Sequence, residues 1–194
     1  MNTCSQYIKM PKRLERHAAI DEIENVLCTL DLLAIVAPQL KRKRTLWKWA
    51  LIAAHDALQA AVICAIADTT GTNVLKKKSA AEMLTWLEKM DGEPPKEWME
   101  EFLELIKKAN LKMNAVEQKQ VKKLHFFRNT FVHFTPQTFW LGTAELPLVI
   151  GTTLELVAKL MESDRVRIRF TGNKKRRLST DLEGVRSALA RITA

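Results

Sequence analysis

The stretch from about Thr45 to Asp68 constrains this chain most, because apolar side chains lie on nearly all of its sides: Trp47, Trp49, Leu51, Ile52, Leu58, Val62, Ile63 and Ile66. A helix that is greasy all round has to be covered by other protein, so it belongs at the centre of a bundle or at an interface between copies. Ahead of it, Ile20, Ile23, Val26, Leu27 and Leu30 recur at helical spacing in a first helix expected from about Leu14 to Ala37, which Pro38 ends or bends. With only six glycines and six prolines in 194 residues, and 47% apolar content, helices are favoured over sheets and a real core can form. The expectation is an all-α single domain, an up-and-down bundle of about four to six helices. Residues 38–162 would be its core, 1–37 an N-terminal helical extension, and 163–194 a basic C-terminal segment and helix.

The remaining elements follow from caps and breakers. After the Gly71-Thr72-Asn73 loop, Ser79-Ala80-Ala81-Glu82 has the form of a capping box and opens a helix to Met90, which Asp91-Gly92-Glu93-Pro94-Pro95 breaks. An amphipathic helix is expected over Lys96 to Ala109, with Trp98, Phe102, Leu105 and Ile106 inward. Another should run from Ala115 to Phe134, stopped by Pro136, which disfavours helical geometry at the residue before it. A helix from Thr143 to Met161 carries Leu148, Leu154, Leu156, Val157 and Leu160, interrupted or kinked near Pro147 and Gly151. Arg165 to Phe170 alternates charged and apolar residues, and with Gly172-Asn173 suggests a small hairpin. A last helix over Thr180 to Thr193 is signalled by the Thr180-Asp181-Leu182-Glu183 capping box.

The net charge of +9 attracts polyanions and makes nucleic acid the first partner to consider. Cys4, Cys28 and Cys64 lie far apart, giving neither a disulfide framework nor a Cys-x-x-Cys metal knuckle, and a reducing cytoplasm fits them. The N-terminus has no apolar signal core, and the greasiest run, Ala57 to Ala67, is shorter than a bilayer span, so the expectation is a soluble, cytoplasmic protein without a membrane partner. His-Glu-x-x-His, a phosphate-cradling glycine loop and a Gly-x-Ser-x-Gly elbow are all absent from the sequence. No metal and no cofactor is expected.

The segment Arg128-Asn129-Thr130-Phe131-Val132-His133 places an arginine, an amide and a histidine near one end of an apolar helix. Those are the parts of a metal-free RNA-cleaving site, in which an imidazole moves protons and a guanidinium fork holds the phosphate as charge builds on it. At about 100° per residue, His125, Asn129 and His133 share a stripe and Arg128 lies to its side. Lys119, Lys122 and Lys123 precede them by one to three turns and could lead an RNA backbone to the site. His55 and Asp56 interrupt the greasy helix and need partners if buried. They are either satisfied core polars or supports for the Arg128/His133 cleft.

Leu-His-Phe-Phe-Arg-Asn-Thr-Phe-Val-His-Phe, from Leu124 to Phe134, resembles the HEPN superfamily, whose signature is an arginine, a polar residue and a histidine five to seven positions after the arginine. Arg128, Asn129 and His133 match it residue by residue, and the likeness would extend over roughly residues 35 to 162. The resemblance implies a helical homodimer that cuts RNA without a metal, often as a toxin or defence effector restrained by an antitoxin or the product of a neighbouring gene. In that reading Arg128, Asn129 and His133 are catalytic, and His125, His55 and Asp56 support them. The tyrosine that one HEPN group carries two positions after the histidine is Thr135 here, and the chain's one tyrosine is Tyr7. A non-catalytic helical module that binds RNA or a partner protein is the alternative, and a DNA-binding regulator fits less well.

Overall fold

The computed structural model describes residues 18–136 and 138–193, and among them there are eight α-helices and no strand. The all-α expectation holds. The helices are α1 (Glu22–Val36), α2 (Trp47–Ile66), α3 (Lys77–Lys89), α4 (Phe102–Lys108), α5 (Ala115–Val132), α6 (Leu146–Met161), α7 (Asp164–Arg167) and α8 (Gly172–Thr193). The described residues divide into two compact units, one made of 18–21 and 66–111, the other of 22–65 and 112–193.

In the larger unit α1 packs on α8, α8 on α6, and α6 on α5. Each contributes one apolar face: Val26, Leu30 and Leu33 from α1, Leu154 and Val157 from α6, and Leu182, Val185 and Leu189 from α8 are buried. Burying a side chain of this size stabilises by roughly 1.5–3 kcal/mol relative to leaving it in water. The helix Arg44–Ile66, counted with its leading 3-10 turn, has the length and hydropathy of a membrane span, longer than the sequence reading allowed, and 67% of the tested window is buried. Leu51, Ala54, Leu58, Ala61 and Val62 are fully enclosed, as in the core helix of a bundle.

Several boundaries differ from expectation. Ile20 lies ahead of α1 and is exposed, and the part of that expected helix before residue 18 is outside the described residues. Pro147 starts α6 rather than kinking it, since proline lacks an N–H that the first turn would leave unused, and Gly151 sits inside an unbroken helix. Of the leucines named for this helix, Leu154, Leu156 and Leu160 are buried and Leu148 is exposed. The C-terminal hairpin does not form: Asp164–Arg167 is a helical turn and Gly172-Asn173 opens α8. A strand would have put Val166 and Ile168 on one face, whereas Val166 is fully buried and Ile168 is 82% exposed.

In the smaller unit α3 begins at Lys77, so Ser79 is no cap; its hydroxyl donates to the Lys96 carbonyl and accepts from the Trp98 N–H. Residues 96–101 lie outside any helix. Lys76 N–H donates to Trp98 O at 2.8 Å and Glu100 N–H to Val74 O at 2.8 Å, forming a single antiparallel bridge between Leu75 and Met99. Trp98 is consequently exposed, with the Lys96 ammonium 4.4 Å from its ring centre.

α8 starts eight residues before its expected capping box because Arg177 anchors that turn to α1. Its Nε donates to Asp31 Oδ2 at 3.0 Å, and its Nη groups reach Asp31 and Glu24. The guanidinium holds the Asp31 carboxyl below its ordinary value. Asp181, inside α8 rather than at a cap, is pushed up from 3.8 to about 6 by burial and by the Asp31 carboxylate against it. Folded Asp181 keeps its proton across a window where the unfolded chain has lost it, so this contribution is complete below 3.8 and is lost as pH rises through about 6. Asp31 has the opposite sign, its contribution being lost as pH falls through its lowered value. An Asp181→Asn variant keeps a donor toward Asp31 and should remove the decline. Urea midpoints measured over a pH series should match wild type at the acid edge and exceed it at neutral pH.

Candidate functional site

The site belongs to the larger unit and is built on α5. Asn114 caps this helix: the Glu117 N–H donates to Asn114 Oδ1 at 2.9 Å and the Asn114 N–H to Glu117 Oε2 at 2.7 Å. Such a cap contributes about 1 kcal/mol. Val121, Leu124, Phe127 and Phe131 bury one face of α5. After the helix the chain folds back, so that Phe139 meets Phe131 edge-on at 5.6 Å and Phe127 at 6.5 Å between ring centres.

The next face carries the motif. Arg128 Nη1 donates to Asn129 Oδ1 at 3.2 Å, Asn129 Nδ2 lies 3.0 Å from His125 Nε2, and His125 Nδ1 lies 3.1 Å from His55 Nε2 on α2. The two imidazoles are near-parallel, 5.3 Å apart and inclined by 23°. Beyond them His55 Nδ1 faces Asp56 Oδ1 at 3.5 Å, an electrostatic contact longer than a strong hydrogen bond. His55 is 1% exposed, so its nitrogens have to be satisfied by protein.

The direction of every link follows from the first. A guanidinium can only donate, so the Asn129 atom facing it is the oxygen and the atom facing His125 is the amide nitrogen. That nitrogen donates, so His125 accepts at Nε2 and carries its hydrogen on Nδ1. His125 Nδ1–H then donates to His55 Nε2, and the His55 hydrogen sits on Nδ1, toward the Asp56 carboxylate. Cation, amide, two imidazoles and carboxylate are thus aligned head to tail.

The structure therefore brings together five of the expected residues: Arg128, Asn129, His125, His55 and Asp56. Both nitrogens of His125 are engaged, so in this arrangement it orients Asn129. The Arg128 Nε–H is buried and meets no hydrogen-bond acceptor among the described residues, which leaves the guanidinium with unused donor capacity.

His133 stands apart. It is the C-cap of α5, its N–H donating to Asn129 O at 2.9 Å while its φ of −102° and ψ of 46° leave the helix. Its imidazole is exposed and makes no hydrogen bond or ion pair among the described residues. Chemically, the chain offers an oriented guanidinium and amide at positions 128 and 129 and an exposed imidazole at the C-cap, His133.

The three lysines differ in environment. Lys119 and Lys122 are exposed, whereas Lys123 forms an ion pair with Glu145 and holds that carboxyl below its ordinary value. One feature carries no sequence signal, because Phe134 lies far from the other two in the chain: the Lys48 ammonium sits over the rings of both Trp49 and Phe134. Among the described residues no three histidine, cysteine or carboxylate side chains group as metal ligands.

Comparison with protein families, curated proteins and solved structures finds no match to this chain.

The hydrogen-bond order can be read directly. Long-range proton–nitrogen NMR correlations should show pyrrole-type Nδ1 and pyridine-type Nε2 in both His55 and His125. Replacing His55 with leucine orphans the His125 Nδ1–H, which should cost about 1–3 kcal/mol in urea unfolding.

Proposed function

We propose that this chain is a metal-independent endoribonuclease of the HEPN kind, with Arg128, Asn129 and His133 as its catalytic groups. The observation that carries the reading is the head-to-tail hydrogen-bond chain from His55 through His125 and Asn129 to Arg128, whose guanidinium keeps a spare donor five residues before the exposed imidazole of His133. An ordinary helix end has no use for such an arrangement.

RNA supplies its own nucleophile. His133 takes the proton from a 2′-hydroxyl, the 2′-oxygen attacks phosphorus, and the bond from phosphorus to the 5′-oxygen breaks. Arg128 binds the nonbridging oxygens, where charge accumulates, and Asn129 fixes the guanidinium. The departing 5′-oxygen needs a proton, and His125 is occupied in the chain. A second copy of this protein, presenting its own His133 across a dimer cleft, supplies it. Products are a 2′,3′-cyclic phosphate and a 5′-hydroxyl. A toxin or defence role restrained by an antitoxin is consistent with such an activity, and a cytoplasmic location with its RNA substrate.

The alternative is a helical module that binds RNA or a partner protein through the same groups without cutting, and the test separates the two. Total RNA in chelator should be cleaved by wild type, with 2′,3′-cyclic phosphate ends. Arg128→Ala and His133→Ala should each lower the rate by roughly 10²-fold or more while remaining folded. Absence of cleavage by folded wild type would replace this reading with a binding module.

A further inference from the structure

At the start of α2, close to the end of α5, two large aromatic rings are left in solvent. Trp49 is 51% and Phe134 53% exposed, although Trp47, two residues earlier, is 1% exposed. The Lys48 ammonium lies 5.2 Å from the Trp49 ring centre and 5.9 Å from that of Phe134. Phe134 directly follows His133 in sequence, so the cluster adjoins the exposed imidazole. Lys48 is half-buried, and a cation over a ring contributes about 0.5–1 kcal/mol when exposed and about 2 kcal/mol when desolvated, no more than the roughly 1.5–3 kcal/mol given up by leaving even one such side chain unburied. The cluster is thus poorly explained as a stabilising device.

Two exposed rings around an ammonium match the chemistry of an unpaired nucleotide. A base stacks on an aromatic face, worth about 1–3 kcal/mol per base, and the ammonium neutralises the phosphate beside it. Bases inside a duplex are already stacked on one another and offer no free face. We propose that Trp49 and Phe134, with Lys48 between them, are a stacking site for unpaired bases, so that the substrate is single-stranded RNA with its scissile phosphate led to Arg128 and His133. This inference rests on the ribonuclease reading for its substrate, but the site can be tested without cleavage.

A labelled single-stranded deoxyoligonucleotide, which has the bases and phosphates but no 2′-hydroxyl to attack, is titrated against wild type, Trp49→Leu, Trp49→Phe and Phe134→Leu, with the same strand in a perfect duplex as control. The expected result is a 5- to 100-fold loss of single-strand affinity, roughly, in each leucine variant, near-wild-type affinity in Trp49→Phe, and no change for duplex. Unchanged single-strand affinity in the leucine variants overturns the proposal, as does wild type that binds no single strand. A leucine variant that alters only the oligomeric state assigns the rings to a contact between copies and overturns it too. The two readings fail separately: if wild type never cuts RNA yet the leucine variants lose strand binding, the stacking site stands alone. If wild type cuts and Trp49→Leu keeps its KM, the ribonuclease stands alone.

Discussion

A histidine enclosed in the apolar core helix is the constraint on which the rest of the site depends. His55 is held in α2 among alanines and leucines, where an unsatisfied imidazole would cost on the order of 1–3 kcal/mol. Its Nε2 is met by His125 from α5, and its Nδ1 faces the Asp56 carboxylate at 3.5 Å. Apolar contacts such as those between α5 and α6 tolerate sliding, because dispersion and burial have little direction. A nitrogen-to-nitrogen hydrogen bond of 3.1 Å does not. It sets which face of α5 turns toward α2, and through Asn129 it sets where the Arg128 guanidinium lies.

Charge plays a lesser part than the net +9 suggests. Lys123 is taken up by Glu145, Lys76 lies near Glu101, Lys78 near Glu82, and Arg177 serves Asp31 and Glu24. The exposed pairs among these, Lys76 with Glu101 and Lys78 with Glu82, contribute about 0–1 kcal/mol each and matter more for where positive potential is cancelled than for stability, whereas the part-buried Arg177 cluster ties α8 to α1. Lys119 and Lys122, exposed on α5, remain as basic positions leading toward the motif. A polyanion reading of this protein therefore draws its support from the shape and hydrogen-bond order of one site rather than from total charge.

The helical architecture was legible in the sequence because it rests on periodicity: the stripe of α1 and the apolarity of α2, Trp49 apart, reappear as buried faces. So was the grouping of His125 with Asn129, which needs only the four-residue spacing of one helix. The link from His125 to His55 was not, since seventy positions separate them and only packing brings them together. The misread elements share a cause. Ser79 and the Thr180-Asp181-Leu182-Glu183 run have capping-box composition, yet a hydroxyl or carboxyl has other uses: Ser79 serves the segment at 96–98, and Asp181 joins the Arg177 cluster. The alternation from Arg165 to Phe170 fits a strand on paper, but no partner strand is available and a helical turn buries Val166 alone.

The cap at Asn114 turns α5 into a measuring rod. Along the helix each residue adds about 1.5 Å of rise and about 100° of rotation, so the angular phase of His125, Arg128 and Asn129 relative to the cap depends on how many residues lie between them. Inserting or deleting a single residue between the cap and His125 would preserve the composition, the charge and every side chain of the motif. It would also turn the motif by more than a quarter of a circle away from His55. A change of three or four residues would nearly restore the phase. Length variation in this helix is therefore tolerable only in steps close to whole turns, a restriction imposed by the buried imidazole on another helix.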